Sequence, residues 1–405
     1  MVAMNLQDPA LTFALALVAG VLAQSIGRHL RVPGIVVLLA TGVFLGPYFA
    51  DLVRPDTLGP ALQPIVGFAI AVVLFEAALN LNADRLRHQA VTIRRLITIG
   101  GLITLAGAML AALLLLDWPW HAALLFGTLV MVTGPTVINP ITRRIRLQRN
   151  VRTILEAEGV MIDPIGAVIA VVALEVILQT MDPTTSRAGS GLLGFPYRIV
   201  LGFVMGMAGG VLIGLLLRIR NLVPVGYENI FTLAAVLAIF QSSNAILPES
   251  GILTVAVAGV VVGNMRTRVG RELLEFKEQL SILLVGILFT LLAADVPLEA
   301  VVALGWGGVA TVLTLMFVVR PLDVWVCTHG TELEWRERVF LAWLAPRGIV
   351  AFALSSLFAV ELTAHGMGEE GEGLRALVFL VIAITVVVEG GPAGAVASLL
   401  GLRTP

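Results

Sequence analysis

The sequence predicts an all-α polytopic membrane protein, and its composition and length point to that class. Of its 405 residues, 58% are hydrophobic and only 13% are charged, whereas an average soluble domain carries about 25% charged residues. Glycine is abundant, with 41 residues, and many of them lie inside the apolar runs, as expected where membrane helices pack closely. Since one span with its connection takes roughly 30 residues, this length predicts about 13 transmembrane helices.

The apolar runs locate these helices one by one along the chain. The predicted spans lie near residues 10–27, 32–50, 61–80, 96–116, 121–142, 154–179, 198–217, 229–246, 251–264, 280–294, 298–319, 339–360 and 374–400. No basic segment precedes the first run, so we expect it to be retained as a span and not cleaved as a signal peptide.

The charged residues between the spans predict the orientation. Of the 26 lysine and arginine residues, four (Arg54, Arg187, Arg198 and Arg375) fall in the even-numbered connections, and Arg347 alone falls within a span. The remaining 21 fall in the odd-numbered connections and at the C-terminus. Because basic residues gather on the cytoplasmic side, we expect the N-terminus outside and the C-terminus in the cytoplasm.

Several classes of function are excluded by what the sequence contains. The single cysteine, Cys327, rules out a disulfide framework and a thiolate metal cluster. A net charge of −1 gives no indication of a nucleic-acid partner. The sequence has no Walker loop, HExxH motif or nucleophile elbow. We therefore expect no enzyme activity and no cofactor, and the lipid bilayer as the surroundings.

Two predicted spans are interrupted by glycine and proline at matching places. The fifth contains Pro135 and Thr136 in a Thr-Gly-Pro-Thr segment, and the twelfth contains Pro346 and Gly348 in an Ala-Pro-Arg-Gly segment. The spans divide into two sets of six around one linker, so each break lies in the fifth span of its half. Transporters built from inverted repeats carry such breaks at their binding sites. The sequence therefore predicts two inverted six-helix repeats with discontinuous crossing helices; the alternative is a pair of proline kinks used only for packing.

Asp163 is the candidate for the central functional group. It lies in the middle of the sixth span, before Pro164, and no residue adjacent in sequence can neutralise it. A carboxylate in this position suits alternate binding of a proton and a metal cation. The Thr133 hydroxyl and the carbonyls freed by the break in the fifth span are further candidate ligands. The alternative is a protonated structural aspartate that is hydrogen-bonded to a neighbouring helix.

Other ionisable residues within the spans predict supporting roles. Arg347 requires a carboxylate nearby, and we predict that Glu158 forms a structural ion pair with it, with Glu156 and Glu389 as alternatives. Glu76 lies near the inner end of the third span. It is expected either to line a cytoplasmic funnel that attracts cations or to be an interfacial glutamate without a role.

Four segments of the chain carry recognisable motifs: residues 132–140 (Val-Thr-Gly-Pro-Thr-Val-Ile-Asn-Pro), 155–163 (Leu-Glu-Ala-Glu-Gly-Val-Met-Ile-Asp), 345–354 (Ala-Pro-Arg-Gly-Ile-Val-Ala-Phe-Ala-Leu) and 249–253 (Glu-Ser-Gly-Ile-Leu). The first three are similar to the Thr-Asp-Pro-Thr, Glu-Ser-Leu-x-Asn-Asp and Leu-Arg-Gly-x-x-x-Phe-Ala-Leu segments of bacterial NhaP-type cation:proton antiporters. The chain resembles that family over nearly its whole length.

The resemblance implies the NhaA-like antiporter fold, a homodimer in the bacterial inner membrane, and elevator-like movement of a core domain against a dimerisation domain. On this basis residues 61–179 and 280–360 are expected to contribute mainly to the core. Residues 1–50, 198–264 and 374–405 are expected to contribute mainly to the dimerisation scaffold.

The resemblance also implies roles for single residues. Asp163 takes the place of the aspartate that carries the ion and the proton, and Thr133 matches a threonine that ligates the ion. Glu158 and Arg347 take the places of a structural ion pair. The predicted ion- and proton-binding set is therefore Asp163, Thr133, Gly134 and Glu158.

Three residues depart from the family pattern. Gly134 replaces the aspartate of Thr-Asp-Pro, Gly159 replaces a serine, and Ile162 replaces an asparagine. Each change removes a polar group from the expected site, so the resemblance leaves Na⁺ and K⁺ both open.

The expected function is exchange of Na⁺ or K⁺ for H⁺, one for one and electroneutral because a single carboxylate lies at the centre. The alternatives are a sodium-coupled solute symporter of the same fold, an intramembrane protease and a passive channel. A protease would require a second intramembrane aspartate or a Ser–His pair. The chain ends shortly after the last predicted span, which leaves open a cytosolic regulatory domain beyond residue 405.

Overall fold

The computed structural model describes residues 8–30, 32–81, 89–181, 194–219, 224, 227–265 and 271–403, with side chains for all of these except 143–144 and 271–278. Several connections whose basic residues predict the orientation lie outside the described residues, at 82–88, 182–193, 220–223 and 266–270.

The described residues fold into helices without a named strand. In chain order the helices are α1 (Pro9–Leu30), α2 (Gly34–Leu45), α3 (Leu62–Leu79), α4 (Ala90–Leu115), α5 (Trp120–Val130), α6 (Pro135–Ile145), α7 (Arg149–Met181), α8 (Gly194–Arg218), α9 (Glu228–Ile246), α10 (Ser250–Asn264), α11 (Arg271–Ala294), α12 (Leu298–Ala303), α13 (Gly305–Thr328), α14 (Trp335–Trp343), α15 (Ile349–Ala364), α16 (Gly368–Gly390) and α17 (Ala393–Leu399). A 3₁₀ turn, Pro55–Ala61, leads into α3.

Many of these helices have the length and composition of membrane spans. Nine of the described segments are at least 18 residues long and apolar enough to cross a bilayer, and four shorter apolar helices accompany them. The long segments include α7, whose 33 residues extend for about 50 Å. The predicted all-α, multi-pass architecture is therefore confirmed.

The helices pack as two bundles. The first bundle contains α1–α3 and α8–α11, with α8 packed on α10, α10 on α3, and α1 and α2 on α11. The second bundle contains α4–α7 and α12–α17, with α4 packed on α5, α5 on α7, and α15 on α16. Glycines permit the closest approaches. An ideal Cβ on Gly206 of α8, for example, would lie 2.5 Å from the Thr254 carbonyl oxygen of α10.

This packing differs from the predicted division into core and scaffold. Helix α3 and the apolar part of α11, both assigned to the core, lie in the first bundle with α1 and α2. Helix α16, assigned to the scaffold, packs on α15 and α5 in the second bundle. The physical reason is that chain order alone does not determine which faces of membrane helices meet.

Among the described residues, two ion pairs join the bundles. Arg198 of α8 is buried and donates to both carboxylate oxygens of Glu175 in α7, at 2.5 and 3.1 Å, and to the Pro248 carbonyl at 3.0 Å. Arg375 of α16 donates to Asp295, which follows α11, at 2.6 Å. Since α7 and α16 belong to the second bundle and the other partners to the first, both pairs cross the boundary between them.

Candidate functional site

The two interrupted spans cross at a pair of glycines. The first is interrupted between α5 and α6, and the second between α14 and α15. The Gly134 N–H donates to the Pro346 carbonyl at 2.9 Å. An ideal Cβ on Gly134 would lie only 2.1 Å from the Cα of Gly348. The two breaks therefore touch backbone to backbone.

The local sequence explains why the helices stop there. Pro135 is the first residue of α6, where its missing N–H costs nothing and its fixed φ suits a helix start. Pro346 lies in the second break, and Gly348 before α15 is extended, with φ −108° and ψ −177°. The residue before a proline is also disfavoured in the helical region. The breaks at 131–134 and 344–348 consequently leave backbone carbonyls without the usual helical donors.

Helix α7 presents Asp163 to the first break. Gly159 lies one turn before Asp163 and Gly166 about one turn after it, so all three share a face of the helix. An ideal Cβ on Gly159 would lie 3.2 Å from the Pro135 nitrogen, and one on Gly166 would lie 2.2 Å from Val132 Cγ2. That face of α7 is therefore pressed against residues 132–135.

The carboxylate of Asp163 is buried, and no described lysine or arginine pairs with it. The residue is only 2% exposed, and its Oδ1 has no hydrogen-bond partner within the described residues. Pro164 supplies no N–H to the Val160 carbonyl one turn earlier. The Thr133 hydroxyl, 1% exposed, is also without a partner in the described chain. An unneutralised carboxylate among such oxygens can accept a proton or a desolvated cation.

Glu158 pairs with Arg320 and not with Arg347. Arg320 of α13 donates to the two carboxylate oxygens of Glu158 at 2.6 and 2.9 Å, and to Asp323 at 2.8 Å. All three side chains are almost fully buried. Among the described residues Arg347 has no carboxylate within salt-bridge distance, and it donates to the Val132 carbonyl of the first break at 3.3 Å. The predicted Glu158–Arg347 pair is therefore wrong.

Helix boundaries account for this error. The apolar run predicted as the eleventh span ends at residue 319, which assigned Arg320 to a cytoplasmic connection. In the structure α13 continues to Thr328 and carries Arg320 and Asp323 into the protein interior. Arg198 was likewise assigned to an outer connection but is buried within α8. The sequence did contain a signal for the Glu158–Arg320 pair. Arg320 and Asp323 follow the apolar run three residues apart, a spacing that places both on one helix face.

A cavity of about 390 Å³ lies between the two bundles beside the crossing. Glu76 of α3, half-buried, lines it on the side of the first bundle. Thr136 and Asn139 of α6 line it on the side of the second bundle. Within the described chain the Thr136 hydroxyl and the side-chain amide oxygen (Oδ1) of Asn139 are buried without hydrogen-bond partners. Glu76, Thr136, Asn139 and Pro135 thus line one cavity, and the funnel role of Glu76 stays a prediction.

The model of one protein family, described as "Sodium/hydrogen exchanger, transmembrane", matches residues 12–398, which is nearly the whole chain. The chain belongs to the sodium/hydrogen exchanger family. The resemblance to NhaP-type antiporters that the motifs indicate is thereby confirmed.

Individual members of the exchanger family are similar over most of their length. Na(+)/H(+) antiporter 1 of Methanocaldococcus jannaschii is 27% identical over 368 residues, 86% of this chain and 82% of that protein. The K(+)/H(+) antiporter NhaP2 of Shewanella sp. strain MR-4 is 26% identical over 393 residues, 97% of this chain and 67% of that protein. The structure of the sodium proton antiporter MjNhaP1 of M. jannaschii at pH 8 matches with a TM-score of 0.82 at 24% identity, covering 96% of this chain and 98% of that one. That likeness establishes a shared fold.

The three departures from the exchanger motifs have structural explanations. At Gly134 the backbone of the opposing break occupies the space that an aspartate side chain would need. At Gly159 a side chain would press on Pro135. Ile162 packs in a small apolar cluster with Met131 and Val132. This exchanger therefore holds its crossing together by backbone and apolar contacts at places where the resemblance predicts polar side chains.

Proposed function

We propose that this chain is a secondary antiporter that exchanges a monovalent cation, Na⁺ or K⁺, for H⁺. The observation that carries the proposal is the buried Asp163 carboxylate, which lies at the crossing of two interrupted helices and has no basic partner among the residues that the structure describes. Membership of the sodium/hydrogen exchanger family supports it. So do the names of two relatives, one a Na⁺/H⁺ antiporter and the other a K⁺/H⁺ antiporter.

Competition at a single carboxylate couples the two flows. Asp163 binds either a proton or a cation, and each species must leave before the other can bind. The Thr133 hydroxyl and the carbonyls of the break complete the cation's oxygen shell, as hard cations require. Since Gly134 contributes no second carboxylate, one positive charge is carried in each direction and exchange is electroneutral. No ATP is needed, because the gradient of one ion drives the other.

The chain is proposed to cross the bacterial inner membrane 13 times, as two inverted repeats of six helices around a linker. The nine long segments and four shorter apolar helices of the described residues support this proposal. The charge bias of the connections supports a cytoplasmic C-terminus. With that orientation, the cavity beside Glu76 and Arg28 is proposed to open to the cytoplasm, as in an inward-facing state.

Alternating access is proposed to occur by an elevator-like movement of the second bundle against the first, within a homodimer. Asp163 and both breaks belong to the second bundle, whereas α1–α3 and α11 form the opposite wall of the cavity. Movement along this boundary would carry the bound ion across the membrane while the first bundle stays fixed, holding the dimer.

Exchange by the purified protein in proteoliposomes tests the proposal. An imposed cation gradient should drive proton flux, and Na⁺, K⁺ and Li⁺ are compared side by side at equal concentration. A pH gradient should in turn drive uphill cation movement, which a passive channel cannot do. A transport current that reverses with membrane voltage would contradict electroneutral exchange, and absence of any cation-dependent proton flux would contradict antiport itself.

A further inference from the structure

Glu389 occupies a junction that neither the family motifs nor the proposed mechanism uses. It lies in the last turn of α16, a π-helical segment (Val386–Gly390), and is 3% exposed. Its Oε2 accepts the Ala345 N–H at 2.8 Å. Its backbone carbonyl accepts the Trp343 Nε1–H at 3.3 Å. Glu389 is therefore hydrogen-bonded both to the end of α14 and to the start of the second break.

Among the described carboxylates, Glu389 attracts Arg347 most strongly. Arg347, 3% exposed, interacts electrostatically with the carboxylates of Glu389, Glu158 and Asp323, and is repelled by Arg320. Glu158 and Asp323 are hydrogen-bonded to Arg320. In the described part of the chain no lysine or arginine forms a salt bridge with Glu389, so its negative charge remains available to Arg347.

Glu389 also lies next to the wall of the cavity. The residues after it, Gly390 and Gly391, line the cavity, and an ideal Cβ on Gly390 would lie 3.1 Å from Ile141 Cδ1 of α6. Arg347 itself donates to the Val132 carbonyl of the first break. A chain of contacts thus runs from the cavity wall through Glu389 and the second break to the first break, against which Asp163 lies.

We propose that Glu389 is a positioning residue for cation binding: its carboxylate fixes the second break through Ala345 and attracts Arg347, which donates to the first break. Without that negative charge, Arg347 and the Val132 carbonyl it contacts are displaced, and apparent cation affinity falls. Without the hydrogen bond as well, the break and the carbonyls it presents are displaced. This inference rests on the proposed antiport activity.

The test separates charge from hydrogen bonding. In E389Q the amide oxygen still accepts the Ala345 N–H but the charge is gone, whereas E389A loses both. E369Q, at an exposed position on the same helix, is the matched control. Exchange rates per folded protein are measured against cation concentration. The apparent KM is expected to rise about fivefold or more in E389Q and further in E389A, with the maximal rate changing less, and to stay at the wild-type value in E369Q.

A double variant tests the link to Arg347. In E389Q/R347Q both charges are absent, so KM should lie below the product of the two single effects, as expected for coupled residues. Cation-dependent thermal stabilisation of the detergent-solubilised protein gives a second measure of binding that does not depend on transport. If wild-type protein binds cation but does not exchange it, antiport fails while the role of Glu389 can still be measured. The proposal is overturned if both E389Q and E389A keep KM and cation stabilisation within about twofold of wild type. It is also overturned if KM of the double variant equals the product of the E389Q and R347Q effects.

Discussion

Gly134 and Gly348 meet backbone to backbone where the two interrupted helices cross. An ideal Cβ on either residue would lie 2.1–2.4 Å from the Cα of the other, a separation that real Cβ atoms do not adopt. The crossing therefore has room only for glycine at both positions. NhaP-type antiporters carry an aspartate where this chain has Gly134. Here the absence of that side chain is what allows the two breaks to approach so closely.

Gly134→Ala is expected to destabilise the protein because the added methyl group forces the two breaks apart. Overpacking of this kind costs typically about 1–3 kcal/mol, and displacement of the break should reduce exchange as well. Thermal unfolding in detergent and proton flux in proteoliposomes measure the two effects. Gly67→Ala is the control, since its Cβ would lie 3.7 Å from the Phe240 ring, an ordinary contact. Equal stability of the two variants would contradict the tight crossing.

Glu158→Gln is expected to cost about 3–5 kcal/mol of stability, because it leaves the buried Arg320 charge without its main partner. Arg320→Gln should have a similar effect, and the double variant should lose less than the two single variants together. Glu156→Gln is the control. Its partner Arg152 is 41% exposed, and such surface pairs contribute about 0–1 kcal/mol. Coupling of Glu158 to Arg347 in place of Arg320 would contradict the observed pairing.

Asp163→Asn is expected to abolish cation-driven proton flux while the protein remains folded. The amide cannot carry a proton or neutralise a cation, yet it has nearly the same shape as the carboxylate. No arginine or lysine loses a partner, because none within the described residues pairs with Asp163. Flux assays and size-exclusion chromatography of the same preparation check both parts of the prediction. Normal exchange by the variant would rule out Asp163 as the carrier.

The sequence was sufficient to predict the helices and the two breaks, because both depend on local features. Runs of apolar residues give the spans, and the glycines close to Pro135 and Pro346 in sequence mark the two breaks. Asp163 was identifiable in the same way, since a carboxylate in the middle of an apolar run, with no basic residue adjacent in sequence, stands out without knowledge of its neighbours.

What the sequence did not give are relationships between segments distant along the chain. The partner of Glu158 depended on how far α13 extends past its apolar run, which composition does not determine. The apposition of Gly134 and Gly348 depends on two helices separated by more than 200 residues. The positions of α3 and α16 in opposite bundles depend on which helix faces meet, and those faces are apolar all round in a membrane protein.

The Asp295–Arg375 pair predicts a pH dependence of stability. Burial raises the pKa of Asp295 from 3.8 to about 6, outweighing the attraction of Arg375, and repulsion from Asp56 adds to the rise. The folded protein therefore holds this proton more tightly than the unfolded chain. The stabilisation is complete below about pH 4 and is lost as the pH rises through about 6, by up to about 3 kcal/mol.

The variant Asp295→Asn cannot ionise and should lack this dependence. Relative to Asp295→Asn, wild type should therefore lose stability as the pH rises from about 4 to about 7, and the difference between them should be constant above that pH. Unfolding midpoints in detergent across this range measure it. Asp56→Asn is the matched variant: without the repulsion of Asp56 the pKa of Asp295 falls, so the wild-type change should move to lower pH. A difference that stays constant with pH, or that moves to higher pH in Asp56→Asn, would show that Asp295 is not the titrating group.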